Sequence, residues 1–463
     1  MPSTTHINLD IVIIGGGVAG LWLGNRLKQQ GFTIALFEHR ALGSDQTIAS
    51  QGMIHGGMKY TLSGVLTGAS EAIADMPNHW RACLCGEGDV DLRTTRILSD
   101  HFFLWSSNTI TAKLTSFLAS KATRGRVDAV ADDRRPPLLR HKDFNGSLYR
   151  LTDIVLDTHS LITNLAHNIE RYCYLIDWSQ SSLNKDANGN VSLHIRQGTQ
   201  TFIIQAKQFV FTAGQGNAAL LEQLSLVSTN ECPAMQVRPL QQVMVKHHHP
   251  FSFFGHCLGA ETTPRLTISS HSLNKQEQVW YLGGNLAERG ATMNPDELIE
   301  LAKHEMAELI PWVDLSEAEW ATLPIQRAEP LQPHFMRPDN AYIAPAKGCR
   351  NLMVGWPTKL TLAPNFANQA LALLIQAGIT PSSEAGITQS SEAANATALF
   401  EHLPRPPIAA PPWELAFPPA RSTEELLMLK LQEELVEAFD EELDEPYGVE
   451  SLYQDQQITK EQP

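Results

Sequence analysis

The pattern of apolar and polar positions is clearest over the first 40 residues. Asp10-Ile-Val-Ile-Ile-Gly-Gly-Gly17 opens on a short, unbroken apolar run, which predicts a parallel strand buried on both faces. Residues 18–30 switch to helical spacing, with Leu21, Leu23 and Leu27 set against a polar far side, and Gly31 stops the helix. Residues 33–40 turn apolar again and predict a second strand, so the segment is one βαβ unit. Residues 41–75 are rich in Gly, Ser and Thr and predict loops and short turns around a site.

Further along, residues 160–172 predict a helix with Leu161, Leu165 and Ile169 on one face. Residues 191–214 alternate and then become apolar, the pattern of a hairpin running into a buried strand. Between 236 and 345, three strand-like runs (241–246, 265–269 and 278–284) accompany a well-patterned helix at 295–310, which predicts a second, sheet-based domain. An apolar strand at 351–355 and a helix at 366–378 follow. From about 379 the chain becomes Ser/Ala-rich and then Pro-rich, read as linker or extended surface cover. Leu427, Leu431, Leu435, Phe439 and Leu443 form the stripe of an acidic amphipathic helix near the end.

Composition narrows the function. The chain has 463 residues, with 35 Lys and Arg against 50 Asp and Glu, a net charge of −15. A nucleic acid held by phosphate neutralisation needs a basic face, so that partner class is not expected. No apolar run is long enough to span a bilayer, and the N-terminus lacks the cationic and apolar regions of a secretory signal. The six cysteines are scattered, and Cys83-Leu-Cys85 is neither a redox CxxC nor a zinc knuckle. A reducing, cytoplasmic setting and no metal centre are the expectations. Lys246-His-His-His249 does not change this, because adjacent strand residues point to opposite faces and do not converge on an ion.

The chemistry starts at Gly15-Gly-Gly17-Val-Ala-Gly20, a G-x-G-x-x-G between a strand and a helix. Gly15 makes the tight turn, Gly17 admits a pyrophosphate, and Gly20 lets helix and strand pack closely. The helix N-terminus offers amides and partial positive charge to phosphates. Glu38, at the end of the second strand, can accept hydrogen bonds from ribose hydroxyls. The fingerprint suits NAD or FAD. Its place at the extreme N-terminus of a long chain favours FAD. So does the strand end Thr212-Ala213-Gly214, which would return backbone to the same dinucleotide.

These motifs, with Arg40, resemble the D-amino-acid-oxidase-like (DAO) superfamily of FAD-dependent oxidoreductases. The run Thr47-Ile-Ala-Ser50-Gln-Gly-Met-Ile-His55-Gly56-Gly57-Met-Lys59-Tyr60 is similar to the branch holding FAD-dependent glycerol-3-phosphate and L-2-hydroxyglutarate dehydrogenases. The resemblance implies Thr47 and Ser50 near the pyrophosphate and His55, Gly56 and Gly57 near the flavin. Gly355 to Pro364 resembles the superfamily's late FAD anchor, with Pro357-Thr358-Lys359 in place of the usual glycines. It implies contacts from Gly355, Thr358 and Leu360. Arg327 and Arg337-Pro-Asp339 resemble the arginine-bearing strand and the turn after it.

Apart from that resemblance, Gly56 and Gly57 permit close approach of a flat ring. His55 is either a base or donor to substrate oxygen, or a structural histidine that orients the loop. Lys359 with helix-start amides can stabilise negative charge on a reduced flavin, or it simply faces solvent. Arg327 suits a carboxylate or phosphate, or it pairs a structural acid. No second dinucleotide fingerprint and no cysteine at an obvious attachment position are seen, so the FAD is expected to be non-covalent.

The expected fold is α/β: a Rossmann-like FAD-binding domain on a parallel sheet, discontinuous in sequence (8–75, 151–217 and 340–380). A mixed α+β substrate domain takes 76–150 and 218–339, and a linker with an acidic tail takes 381–463. The expected function is oxidation of a small hydroxy acid, amino acid, amine or polyol phosphate by hydride transfer to flavin N5, with oxygen or a quinone as final acceptor. The alternatives are oxidation of a larger biosynthetic intermediate, or an assembly protein recruiting a partner through its C-terminal helix.

Overall fold

The computed structural model describes residues 3–56, 73, 75–107, 127–226, 233–259, 261, 263–382, 400 and 403–418. The chain divides into two units, 1–417 and 418–463, and the second lies almost wholly outside the described residues, as does the expected acidic helix.

Among the described residues, three sheets organise the first unit. One contains β1 (Ser3–Ile14), β2 (Ile34–Glu38), β9 (Cys173–Leu175), β10 (Ser181–Lys185), β11 (Val191–Gln197), β12 (Gln200–Phe211), β18 (Tyr342–Pro345) and β19 (Leu352–Trp356). Its centre is the parallel order β19-β12-β1-β2-β9, drawn from distant parts of the chain. β11 and the first half of β12 form the hairpin expected over 191–214, and Phe209-Val210-Phe211 continue it as a fully buried strand. β1 shows why the run at 11–14 is unbroken. Ile11 and Ile13 enter the core on one face, and Val12 and Ile14 enter the core on the other.

Helices cover both faces. α1 (Val18–Gln29) lies on the Ile11 side of the sheet. α2 (Met76–Leu84) and α3 (Thr158–Asn168) share that core. α4 (Asn217–Gln223) packs Leu220 and Leu221 into the opposite core.

The second sheet, ordered β17-β13-β16-β15-β14-β5-β7-β6, comes mainly from the middle of the chain. Its strands are β5 (Phe102–Trp105), β6 (Val127–Ala129), β7 (Leu148–Leu151), β13 (Met235–His247), β14 (Gly255–Cys257), β15 (Leu266–Ser272), β16 (Gln278–Gly283) and β17 (Glu319–Pro330). After the short α5 (Asn285–Gly290), α6 (Pro295–Leu309) lays Leu298, Ala302, Met306 and Leu309 on this sheet. A capping box starts α6: the Asn294 side chain accepts from Glu297 N–H, and Glu297 reaches back to the Asn294 amide. The small third sheet, β3 (Met53–Ile54), β8 (Ile154–Leu156) and β4 (Ile97–Ser99), ties the loop after the glycine motif to the chain beyond β7. α7 (Ala363–Gln376) packs beside α1, and α8 (Pro412–Ala416) belongs to the Pro-rich stretch.

This is the mixed α/β architecture expected from the apolar patterning. No helix among the described residues is long and apolar enough to cross a membrane.

Candidate functional site

β1 ends at Ile14 and the chain must turn at once into α1. Gly15 makes the turn at φ +113°, where a Cβ would stand 2.5 Å from the Ala213 amide nitrogen. The ends of β1 and β12 are therefore in direct backbone contact. Gly20 closes the other side, since a Cβ there would meet Gly15 O at 2.0 Å. Gly17 is the N-cap of α1 and offers no side-chain cap, so the first-turn amides need outside partners. Val18 N–H is donated to Thr47 Oγ1 at 3.2 Å, which fixes the following loop against the helix start.

Glu38 is buried and braces the glycine turn. Its Oε2 accepts from Gly16 N–H at 2.8 Å, and its Oε1 accepts from the amides of His39 (2.9 Å) and Arg40 (3.0 Å). The Arg40 side chain pairs with Asp45.

In front of these groups lies an open cleft of about 940 Å³, the upper end of the range for small-molecule and cofactor sites. Gly15, Gly17, Glu38, Arg40, Thr47, Ser50, Ala213, Gly214, Lys359 and Leu360 all line it. Backbone without side chains at Gly15, Gly17 and Gly214, a helix N-terminus whose N-cap residue supplies no side chain, and a carboxylate at the strand end suit the phosphates and ribose of a dinucleotide. These residues fit FAD.

The remaining expected site residues lie elsewhere. Gly20 sits behind the turn as a packing residue. Gly355 is enclosed in β19, where a Cβ would meet Tyr342 O at 2.5 Å. Thr358 is buried at φ +61° and donates to Asn340 O at 3.1 Å. Gly57 lies outside the described residues.

Of the two tasks the sequence left open for Arg327, its side chain takes the pairing with an acid. Its strand neighbours Gln326 and Ala328 line the cleft, and Arg327 does not. Both guanidinium ends bond Glu288 at 3.0 Å, with further bonds to the carbonyls of Arg238 and Pro239. Burial raises the Glu288 carboxyl, but the Arg327 hydrogen bond and the charges of Arg327, Arg238 and Arg337 outweigh it and hold it below the usual range. The fork is committed to a structural acid. Glu329, the motif's other charge, pairs instead with Arg238 at 2.7 Å.

His55 does not line the cleft; its amide is donated at 3.1 Å to Oγ1 of Thr361, the chain neighbour of Leu360, which does. Its Nδ1 lies 3.1 Å from Asp153 Oδ2, while Asp153 Oδ1 accepts from Gly56 N–H at 2.9 Å. The His256 ring stacks on His55 at 5.7 Å and 22°. Asp153 and His256 carry no motif that marks them in the sequence.

Sequence reading also missed one wall of the cleft. Ala410, Pro412 and Leu415 line it, so part of the Pro-rich stretch covers the site. Leu42 N–H is donated to Pro407 O (2.8 Å), and Ala409 N–H to Leu42 O (3.0 Å). Arg405 Nη1 bonds the carbonyls of Glu170, Arg171 and Cys173. Trp413 packs on His271 and Tyr281 of the second sheet.

One further cluster has metal-ligand groups. His79 Nε2 and Cys83 Sγ lie 2.8 and 3.2 Å from Asp89 Oδ1. Arg26 already pairs with the other Asp89 oxygen at 3.1 Å. Burial, aided by Asp89, pushes the Cys83 thiol up to about 12. A cation there would face an arginine and a protonated thiol. At Lys246–His249, Lys246 pairs with Glu277 and Glu319 while the buried His247 packs on Trp280.

Comparison with known proteins agrees with the geometry. Residues 10–361 match the model of a family described as DAO, FAD dependent oxidoreductase. The chain is 45% identical over 419 residues to a probable FAD-dependent oxidoreductase, PA4991, of Pseudomonas aeruginosa, covering 89% of this chain and 99% of that one. The crystal structure of PA4991 superposes with a TM-score of 0.73 at 40% identity, over 90% of this chain and all of that one. A glycine oxidase from Geobacillus kaustophilus shares the fold at TM-score 0.58 and 17% identity, over 80% of this chain and 95% of that one.

Proposed function

Since this chain belongs to the DAO family of FAD-dependent oxidoreductases, we propose that it oxidises a small polar substrate at a carbon bearing a hydroxyl or an amine. A hydroxy acid, an amino acid or amine, and a polyol phosphate are the candidate classes. FAD held in the cleft would supply the two-electron acceptor for the hydride.

The observation that supports this reading is the His55–Asp153 pair, tied through the His55 amide to Thr361, the chain neighbour of the cleft residue Leu360. Removing a hydride from H–C–OH or H–C–NH leaves a proton on oxygen or nitrogen. His55, 22% exposed at its side chain, can receive that proton. The substrate loses one hydride and one proton and becomes a carbonyl or imine, so the balance needs no further reactant. Lys359, which lines the cleft with its Nζ 3.3 Å from Asp339 O, is the charged group assigned in this reading to stabilise negative charge on the acceptor. Arg327 has no part in this reading, because Glu288 holds it.

The test is anaerobic bleaching of the flavin absorbance by hydroxy acids, amino acids, amines and polyol phosphates in turn. Rapid bleaching by one class, and return of colour with air or with a quinone, identifies both substrate class and final acceptor. A stable flavin against every compound sinks the reading.

A further inference from the structure

Asp153 holds two donors at once. It is 3% exposed, and each carboxylate oxygen has a different partner. Oδ1 takes the Gly56 amide at 2.9 Å and Oδ2 faces His55 Nδ1 at 3.1 Å. An ionised carboxylate only accepts, so the hydrogen of this second bond is on Nδ1. Nε2 is then the nitrogen that can accept a proton.

The other sides of His55 are held as well. Its backbone amide is tied to Thr361 Oγ1, and that hydroxyl is donated to Met53 O at 3.3 Å. His256 lies along one ring face and is itself fixed by Thr267 Oγ1, 2.8 Å from its Nδ1, and by Phe102 at 4.5 Å. A histidine that only filled space would not need a buried carboxylate aimed at one of its nitrogens.

The geometry points to Asp153 as the positioning residue for His55: it bridges Gly56 N–H and His55 Nδ1 and so locks the imidazole in the Nδ1–H tautomer, with Nε2 as proton acceptor. This inference rests on the reading of His55 as the base and adds the group that prepares it. It also makes Asp153→Asn an informative variant. The amide oxygen is the only group of that side chain able to accept from Gly56 N–H. The NH2 must then face His55, donate to Nδ1 and drive the ring hydrogen to Nε2. Shape and volume are kept while the acceptor nitrogen is lost.

Two measurements on the FAD-loaded protein test it. The first is nitrogen NMR with 15N-histidine labelling, the His55 signals being assigned by their loss in His55→Gln. The wild type should show a protonated Nδ1 and an unprotonated Nε2 at neutral pH, and Asp153→Asn should reverse them. The second is stopped-flow bleaching with whichever panel compound reduces the wild type. Asp153→Asn should slow the reductive step by about 100-fold or more, with the substrate dissociation constant and the flavin spectrum unchanged.

A wild-type His55 carrying its hydrogen on Nε2, or on both nitrogens, overturns the inference, and this readout does not depend on Asp153→Asn folding. Failure of Asp153→Asn to reverse the tautomer overturns it too, as does reversal with an unchanged reductive rate. If no panel compound bleaches the flavin, the reading of the substrate fails, while the nitrogen shifts still decide what Asp153 does to His55.

Discussion

Two substitutions one turn apart on α1 separate packing at the dinucleotide turn from helix propensity. Alanine at position 20 or 24 gains about 1 kcal/mol of intrinsic helix preference over glycine. The neighbours differ. A Cβ at Gly24 meets Ile169 Cδ1 at 2.8 Å, the far end of a flexible side chain that can move by a few tenths of an ångström. A Cβ at Gly20 meets Gly15 O at 2.0 Å and Thr212 Oγ1 at 2.7 Å. Carbon and oxygen approach comfortably at about 3.3 Å, so the helix start must retreat from the turn by about 1.3 Å. Overpacking of this kind costs about 1–3 kcal/mol.

The same retreat moves the first-turn amides, whose bonds to phosphate tolerate only about 2.7–3.2 Å. Losing one charge-assisted bond costs about 1.5–3 kcal/mol, or about 10- to 150-fold in affinity. Gly24→Ala should therefore stay within about 1 kcal/mol of wild-type stability and keep its FAD. Gly20→Ala should lower the melting temperature and weaken FAD at least about tenfold. The assay is fluorescence titration of apoprotein with FAD, alongside thermal melts of apo and loaded forms. A Gly20→Ala protein that binds FAD within threefold of wild type and melts no lower than Gly24→Ala would refute the reasoning.

Three further outcomes follow from named contacts. Burial holds His247 and His271 down to about 4, whereas an unfolded histidine titrates near 6.5. The unfolded chain thus binds more protons between those values, so stability is full above pH 6.5 and falls as pH drops toward 4. In urea melts at pH 5 and 7, His271→Gln should lessen this pH dependence by roughly one proton per molecule, and an unchanged slope would count against a neutral buried His271. Trp413→Ala removes the ring that seats the Pro-rich stretch on His271 and Tyr281. It should cost about 3–5 kcal/mol and speed FAD release, and an unchanged release rate would detach that stretch from the cofactor. Arg327→Ala should cost about 1–3 kcal/mol by stripping Glu288 of its partner while leaving KM for the panel substrate unaltered. A large rise in KM would return Arg327 to substrate recognition.

The sequence by itself determined whatever depends on neighbours close along the chain. The unbroken apolar run at 11–14, the glycine spacing and the Leu21–Leu27 face specify strand, turn and helix, because each is set within a few residues by backbone sterics and side-chain period. That was enough to point to a dinucleotide site, and several of the residues it singled out, from Gly15 and Glu38 to Thr47 and Gly214, line the cleft.

Tertiary structure alone decided which polar groups meet. Asp153 reaches Gly56 across 97 residues, because β8 pairs with β3 and places the end of one loop against the next. Arg327 was legible as a guanidinium fork for a substrate or a structural acid, but that the acid is Glu288, on a separate helix, was not. The Pro-rich stretch was legible as extended chain, but its contacts with Leu42 and Tyr281 are what bring it to the wall of the cleft. A local pattern constrains backbone conformation and burial. The partner of a charge, and hence its chemical role, depends on strand pairing and packing over the whole chain.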